Sequence, residues 1–168
     1  VMAVYHYGFD AARVMALACL TAILTEALCC KWMRRTVTVN DYSAVVTGLM
    51  FAFLLPASAP WWLTAFGAAV TIGMGKMIFG GLGGNPMPAP LIGWAICQVS
   101  WPDVMNIDAT MLASELVNPL SQLKYLGLES TFRFTNMALF KGFQLGGLGS
   151  SQVLPLLLGG VYLLARKR

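Results

Sequence analysis

Apolar residues fill this chain in long runs broken by short polar or proline- and glycine-rich stretches. The first run, residues 9–30, is long enough to cross a hydrocarbon layer as a helix at about 1.5 Å per residue. Asp10 and Arg13 stand three apart near its start, where they can pair. A polar connection, KWMRRTVTVNDY, follows. Asn40-Asp41-Tyr42-Ser43 then reads as the N-cap of a helix over residues 43–55. About 13 residues rise roughly 20 Å, short of a core of about 30 Å. After the break at Pro56-Ala-Ser-Ala-Pro60, Trp61 and Trp62 are placed as an interfacial anchor. A return helix over 63–79 carries Gly67, Ala68, Ala69, Gly73 and Gly75, small residues that let helices approach closely. Further helices are expected over 91–99 and 153–165. The pattern predicts an all-α fold of about five transmembrane or half-membrane helices, some of them broken.

The most telling break is FGGLGGNPMPAP, residues 79–90, with its four glycines, one asparagine and three prolines. Irregular backbone at membrane depth survives only against protein or lining a cavity. The stretch is therefore a loop outside the membrane or a broken helix, and it offers Gly81, Gly83 and Asn85 as candidate ligand contacts. Tight helix packing explains the same glycines without a ligand. A looser echo, KGFQLGGLGSS from Lys141, also precedes an apolar helix. Matched glycine breaks mark binding sites in repeat-built membrane proteins, and chance accounts for them in a chain this rich in Gly and Leu.

Composition supports the membrane reading. Of 168 residues 58% are hydrophobic and 11% charged, with a mean hydropathy of +0.70. Soluble domains carry about a quarter charged residues. The net charge of +4 is small and localised, which argues against a nucleic-acid partner. Lys31, Arg34 and Arg35, then Lys76, then Arg166, Lys167 and Arg168 fall on one side if residues 56–62 turn outside and the stretch 101–145 is an external loop. That loop, roughly 45 residues, is long for a connector and marks a functional or disordered segment. Cys19, Cys29, Cys30 and Cys97 lie in apolar runs without CxxC spacing and read as small buried hydrophobes. The chain starts without a signal-peptide pattern and reads as one membrane domain, 1–168, of a longer protein.

Chemistry is sparse. No phosphate-binding G-x-x-x-x-G-K-[ST] or G-x-G-x-x-G motif is present. His6 lacks triad partners, and no metal-ligand spacing occurs. Glu26 lies well inside the first run. It is either neutralised near the helix end by Lys31 or Arg34, or part of an ion or proton path, the default expectation for an intramembrane acid. Asp41 is the second candidate for ion coupling.

The order Asn40-Asp41-Tyr-Ser-Ala-Val-Val-Thr-Gly-Leu, the Pro–Trp-Trp turn, then Gly75-Lys76 and Phe79-Gly-Gly-Leu-Gly-Gly-Asn-Pro resembles the D subunit of Rnf complexes. It is also similar to the B subunit of the sodium-pumping NADH:quinone oxidoreductase. The match runs over most of this chain and corresponds to the N-terminal half of the family. The resemblance implies a urea-transporter-like repeat with paired half-helices. It also implies a multi-pass subunit of a bacterial or archaeal cytoplasmic (inner) membrane complex. Such a complex is a redox-driven translocase that couples electron transfer between ferredoxin and NAD to Na⁺ or H⁺ movement, so the implied partners are other membrane and flavoprotein subunits and the lipid bilayer.

The resemblance further implies FMN, with riboflavin the second flavin candidate. In the family FMN is esterified to threonine in an S-x-x-T-P-L type motif of the external loop. The matching stretch here is Ser114-Glu-Leu-Val-Asn118-Pro119-Leu120-Ser121-Gln-Leu-Lys124, so the acceptor position is Asn118. An amide forms no phosphate ester. The flavin then binds without a covalent bond, its phosphate near Lys124 or Arg133; or it is attached through Ser121, Thr131 or Thr110; or it has been lost and the subunit is a scaffold and ion path. Two rival functions remain open on the residues alone: a transporter or channel for a small solute, and a purely structural membrane subunit.

Overall fold

A helical layer is dictated by how the apolar runs divide their residues between two faces. A computed structural model of the chain describes residues 2–34, 41–81, 84–85, 87–106, 148–149 and 153–166. Its elements are α1 (Met2–Trp32), α2 (Ser43–Leu54), α3 (Trp61–Ile72) continued by a π-helical turn (Gly73–Met77), α4 (Ala89–Ser100), α5 (Pro102–Met105) and α6 (Val153–Ala165). Every regular element among the described residues is helical. The flavin-type segment, Asn118 to Lys124, lies outside them.

α1 is interrupted at Gly8, whose φ of 64° and ψ of −145° only glycine adopts without strain. Tyr7–Trp32 is the one described helix long and apolar enough to cross a membrane. Its inward stripe is Ala11, Val14, Ala18, Ala22, Glu26 and Cys30, all buried at three- and four-residue spacing. Leu20, Leu24 and Leu28 face outward. α2 and α3 are too short to cross alone and form a hairpin through residues 55–60.

Small residues set how closely these helices meet. A Cβ on Gly48 would stand 2.8 Å from the Ala22 Cβ and 2.9 Å from the Ala18 carbonyl oxygen of α1. Gly67 of α3 meets the Phe51 ring and the Cys97 sulfur, and Gly93 of α4 meets Thr71. Threonine hydroxyls bond their own helices: Thr21 donates to Leu17 O, Thr25 to Thr21 O, Thr47 to Ser43 O and Thr71 to Gly67 O, each at 2.7 Å. In apolar surroundings this supplies the partner that water would otherwise give.

At the far end of α3, Trp101 packs edge-on against Trp62 at 5.3 Å and Phe66 at 5.2 Å. Trp62, one of the two tryptophans expected as an anchor, thus joins α3 to the end of α4, while Trp61 is exposed. Nearby, Leu148 and Gly149 donate backbone N–H groups to Leu55 O and Phe53 O at 3.0 Å. They occupy carbonyls that the end of α2 leaves unpaired. Gly149 is required there, since a Cβ would fall 2.8 Å from the Phe53 Cβ. Leu148 and Gly149 are the described residues of the second Gly-Gly-Leu-Gly run. α6 exposes Leu156, Leu157, Leu158, Val161, Leu163 and Leu164, the character of a helix that lipid or a neighbouring helix covers.

Candidate functional site

The site grows from the inward stripe of α1. Glu26 takes a position where the rest of the stripe is small and apolar, so its carboxylate points between helices and is fully buried. At about 1.5 Å per residue it lies about 9 Å inside the end of α1 at Trp32. A carboxylate there needs a positive partner or strong donors.

That partner is Lys76. The π-helical turn Gly73–Met77 brings it inward, with the Ile78 N–H donating to Gly73 O at 3.2 Å. A π-turn widens the helix by one residue and is often found at functional positions. The Lys76 Nζ donates to Glu26 Oε1 at 2.5 Å and to Ser43 Oγ at 2.7 Å. Lys76 is 3% exposed and Glu26 0%. Three elements therefore meet at one polar point: the last turns of α1, the first residue of α2 and the end of α3. Ala22, Cys30, Ala44, Ile72 and Met77 pack around this end as an apolar cluster.

The glycine motif follows directly and terminates the lysine-bearing helix. Gly81 N–H donates to Lys76 O at 3.1 Å and Gly80 N–H to Met77 O at 3.2 Å, the paired bonds of a Schellman cap. Gly80 has φ 95° and Gly81 φ 107°, angles that call for glycine. Gly75 allows the close approach of α4, because a Cβ there would stand 2.7 Å from the Ala89 Cβ. Gly83 is outside the described residues. The Oδ1 of Asn85 is buried and has no hydrogen-bond partner among the described residues.

The structure revises three local readings. Glu26 is paired with Lys76, not with Lys31 or Arg34. Lys76 is buried in that pair and does not face headgroups as an ordinary basic flank. Tyr42, in the left-handed region at φ 54°, occupies the N-cap of α2 without a side-chain cap bond; Ser43, expected within the cap, instead accepts from Lys76. Asp41 is exposed at the start of α2 and stands outside the cluster. Asp10 and Arg13 do pair, at 3.7 Å on the exposed face of α1. Among the described residues no group of three His, Cys, Asp or Glu could hold a metal ion.

Lys76 was missed as the partner of Glu26, with Ser43 as the second acceptor of its ammonium, although a signal for the charge pair exists. Lys76 is the only charged residue between Asp41 and Asp103, and Glu26 the only one between Arg13 and Lys31. Two isolated opposite charges in adjacent apolar runs are each other's natural partners.

The model of the NQR2, RnfD, RnfE family matches residues 1–168. The chain belongs to that family. It is 36% identical over 163 residues to the D subunit of the Na⁺-translocating ferredoxin:NAD⁺ oxidoreductase complex of Acetobacterium woodii, covering 95% of this chain and 51% of that protein. It is 33% identical to the D subunit of the proton-translocating ferredoxin:NAD⁺ oxidoreductase complex of Clostridium ljungdahlii, covering 99% and 54%. Against the D subunit of the ion-translocating oxidoreductase complex of Alcanivorax borkumensis the identity is 30%, covering 97% and 55%. The chain spans about half the length of these curated relatives. Their names point to a membrane location, in keeping with the apolar α1.

Proposed function

We propose that this chain is a membrane subunit of an Rnf-type translocase, in which electron transfer between ferredoxin and NAD is coupled to movement of Na⁺ or H⁺. Membership of the family supports the redox complex, and the names of its relatives include both ions. The observation that carries the coupling role is the sealed Glu26–Lys76 pair. Apolar side chains of similar volume often replace a buried ion pair with no loss of stability. A scaffold therefore has no need of one inside a membrane layer, whereas an ion path does.

In this reading the chain is multi-pass in a bacterial or archaeal cytoplasmic membrane. Its polar cluster lies toward the inside, and 101–145 is an external loop. The short helices α2 to α4 are half-membrane elements of a urea-transporter-like repeat. The partners are the other membrane and flavoprotein subunits of the complex. Asn118 does not fit an ester-linked FMN, since its amide has no hydroxyl to esterify, and no flavin is ester-linked at this position.

The test is Glu26→Gln in the assembled complex, reconstituted in vesicles. Ferredoxin-dependent NAD⁺ reduction should continue while coupled ion uptake is lost. Ion uptake coupled as in the unmodified complex would remove Glu26 from the path. Uptake of small solutes without electron transfer would favour the transporter reading instead.

A further inference from the structure

Two oxygens of the buried cluster, Glu26 Oε1 and Ser43 Oγ, converge on a single point, and the Lys76 ammonium occupies it at 2.5 and 2.7 Å. Carboxylate and hydroxyl oxygens are the ligands hard cations take. We propose that Glu26 and Ser43 form a binding site for a monovalent alkali cation, with Na⁺ as its ligand, and that Lys76 is a tethered occupant exchanging with it. The inference rests on the ion-coupling role of Glu26 proposed above.

Charge balance favours exchange over simple addition. With Lys76 in place the site is neutral. A second cation beside the ammonium would leave an uncompensated buried charge, which is strongly unfavourable. If Na⁺ enters as the ammonium leaves, the site stays neutral and only the identity of the cation changes. The architecture gives the ammonium a way out. Lys76 stands on a π-turn just before the Schellman cap, so its backbone is close to a helix end where Ile78 is 65% and Phe79 44% exposed. A lysine stem of four carbons lets the charged head reach the interface while the stem stays in apolar surroundings. Ser43, at the first residue of α2, and Glu26 on α1 remain behind as the ligand pair.

The test uses the purified complex with Na⁺ or choline as the only added cation. Dicyclohexylcarbodiimide modifies protonated carboxyl groups in apolar surroundings, and peptide mass mapping reads its adduct on Glu26. In Lys76→Met the tethered cation is gone, so Glu26 should become reactive. At about ten times its dissociation constant, Na⁺ leaves about a tenth of such sites empty and should slow labelling about tenfold, while choline does not. In the unmodified complex, Na⁺ should raise reductive methylation of the Lys76 amine severalfold, because the ammonium has been displaced. Labelling of Glu26 in Lys76→Met that is indifferent to Na⁺ would overturn the cation site. So would Lys76 methylation unchanged by Na⁺, a result that decides the matter if Lys76→Met does not assemble. Should either occur while Glu26→Gln still uncouples transport, the exchange site fails and the coupling role stands.

Discussion

At the scale of single residues, the proposed coupling role turns on two charges that neutralise each other out of reach of water. Removing one leaves the other buried and uncompensated, at about 3–5 kcal/mol. Glu26→Gln and Lys76→Met should each lower the thermal stability of the complex, and Glu26→Gln with Lys76→Met should recover most of the loss. Additive losses in the double variant would mean that the two side chains do not pair. What the sequence reveals at this scale depends on distance along the chain. The Asp10–Arg13 pair was legible because three residues bring side chains onto one helix face. Glu26 was legible as an acid inside an apolar run, and its inward register follows from Ala11, Val14, Ala18 and Ala22. Its partner stands fifty positions away, and only the packing of α3 on α1 brings it near. Tyr42 was not legible as an N-cap because the pattern Asn-Asp-Tyr-Ser offers several better capping side chains.

At the scale of elements, glycine decides where helices end and how near they lie. Gly80 at φ 95° closes the lysine-bearing helix, and Gly80→Ala should cost about 1–3 kcal/mol through backbone strain. Gly75→Ala should cost a similar amount, about 1–3 kcal/mol, by forcing the π-turn away from Ala89. Urea or heat melts of the complex would read both, and a neutral Gly75→Ala would contradict the close approach. The helical segments themselves were well marked: α2 and α6 fall almost where the apolar runs begin and end. The glycine break at 79–90 was legible as a break. That Gly80 and Gly81 form a helix cap was not, because the same residues also suit a ligand cradle. The π-turn was invisible for a different reason: an i→i−5 bond carries no residue preference strong enough to read from Gly-Met-Gly-Lys-Met.

At the scale of the whole molecule, the membrane character and the family were legible. The motif order from Asn40 to Pro86 survives in this chain, and few folds tolerate so little charge. The stretch Asn118 to Lys124 lies outside the described residues, and the flavin expectation there rests on the sequence alone. Mass measurement with in-gel flavin fluorescence on the denatured subunit, purified from its native complex, should give an unmodified, dark band. A fluorescent band heavier by one FMN would place the ester on another hydroxyl. The decisive measurement is ion uptake per electron transferred in vesicles carrying the double variant, Glu26→Gln with Lys76→Met. A pair that serves stability alone is dispensable once both charges are gone, so the two roles part here. If the pair carries coupling, the complex assembles and transfers electrons but moves no coupled ion; restored coupling would mean that it does not.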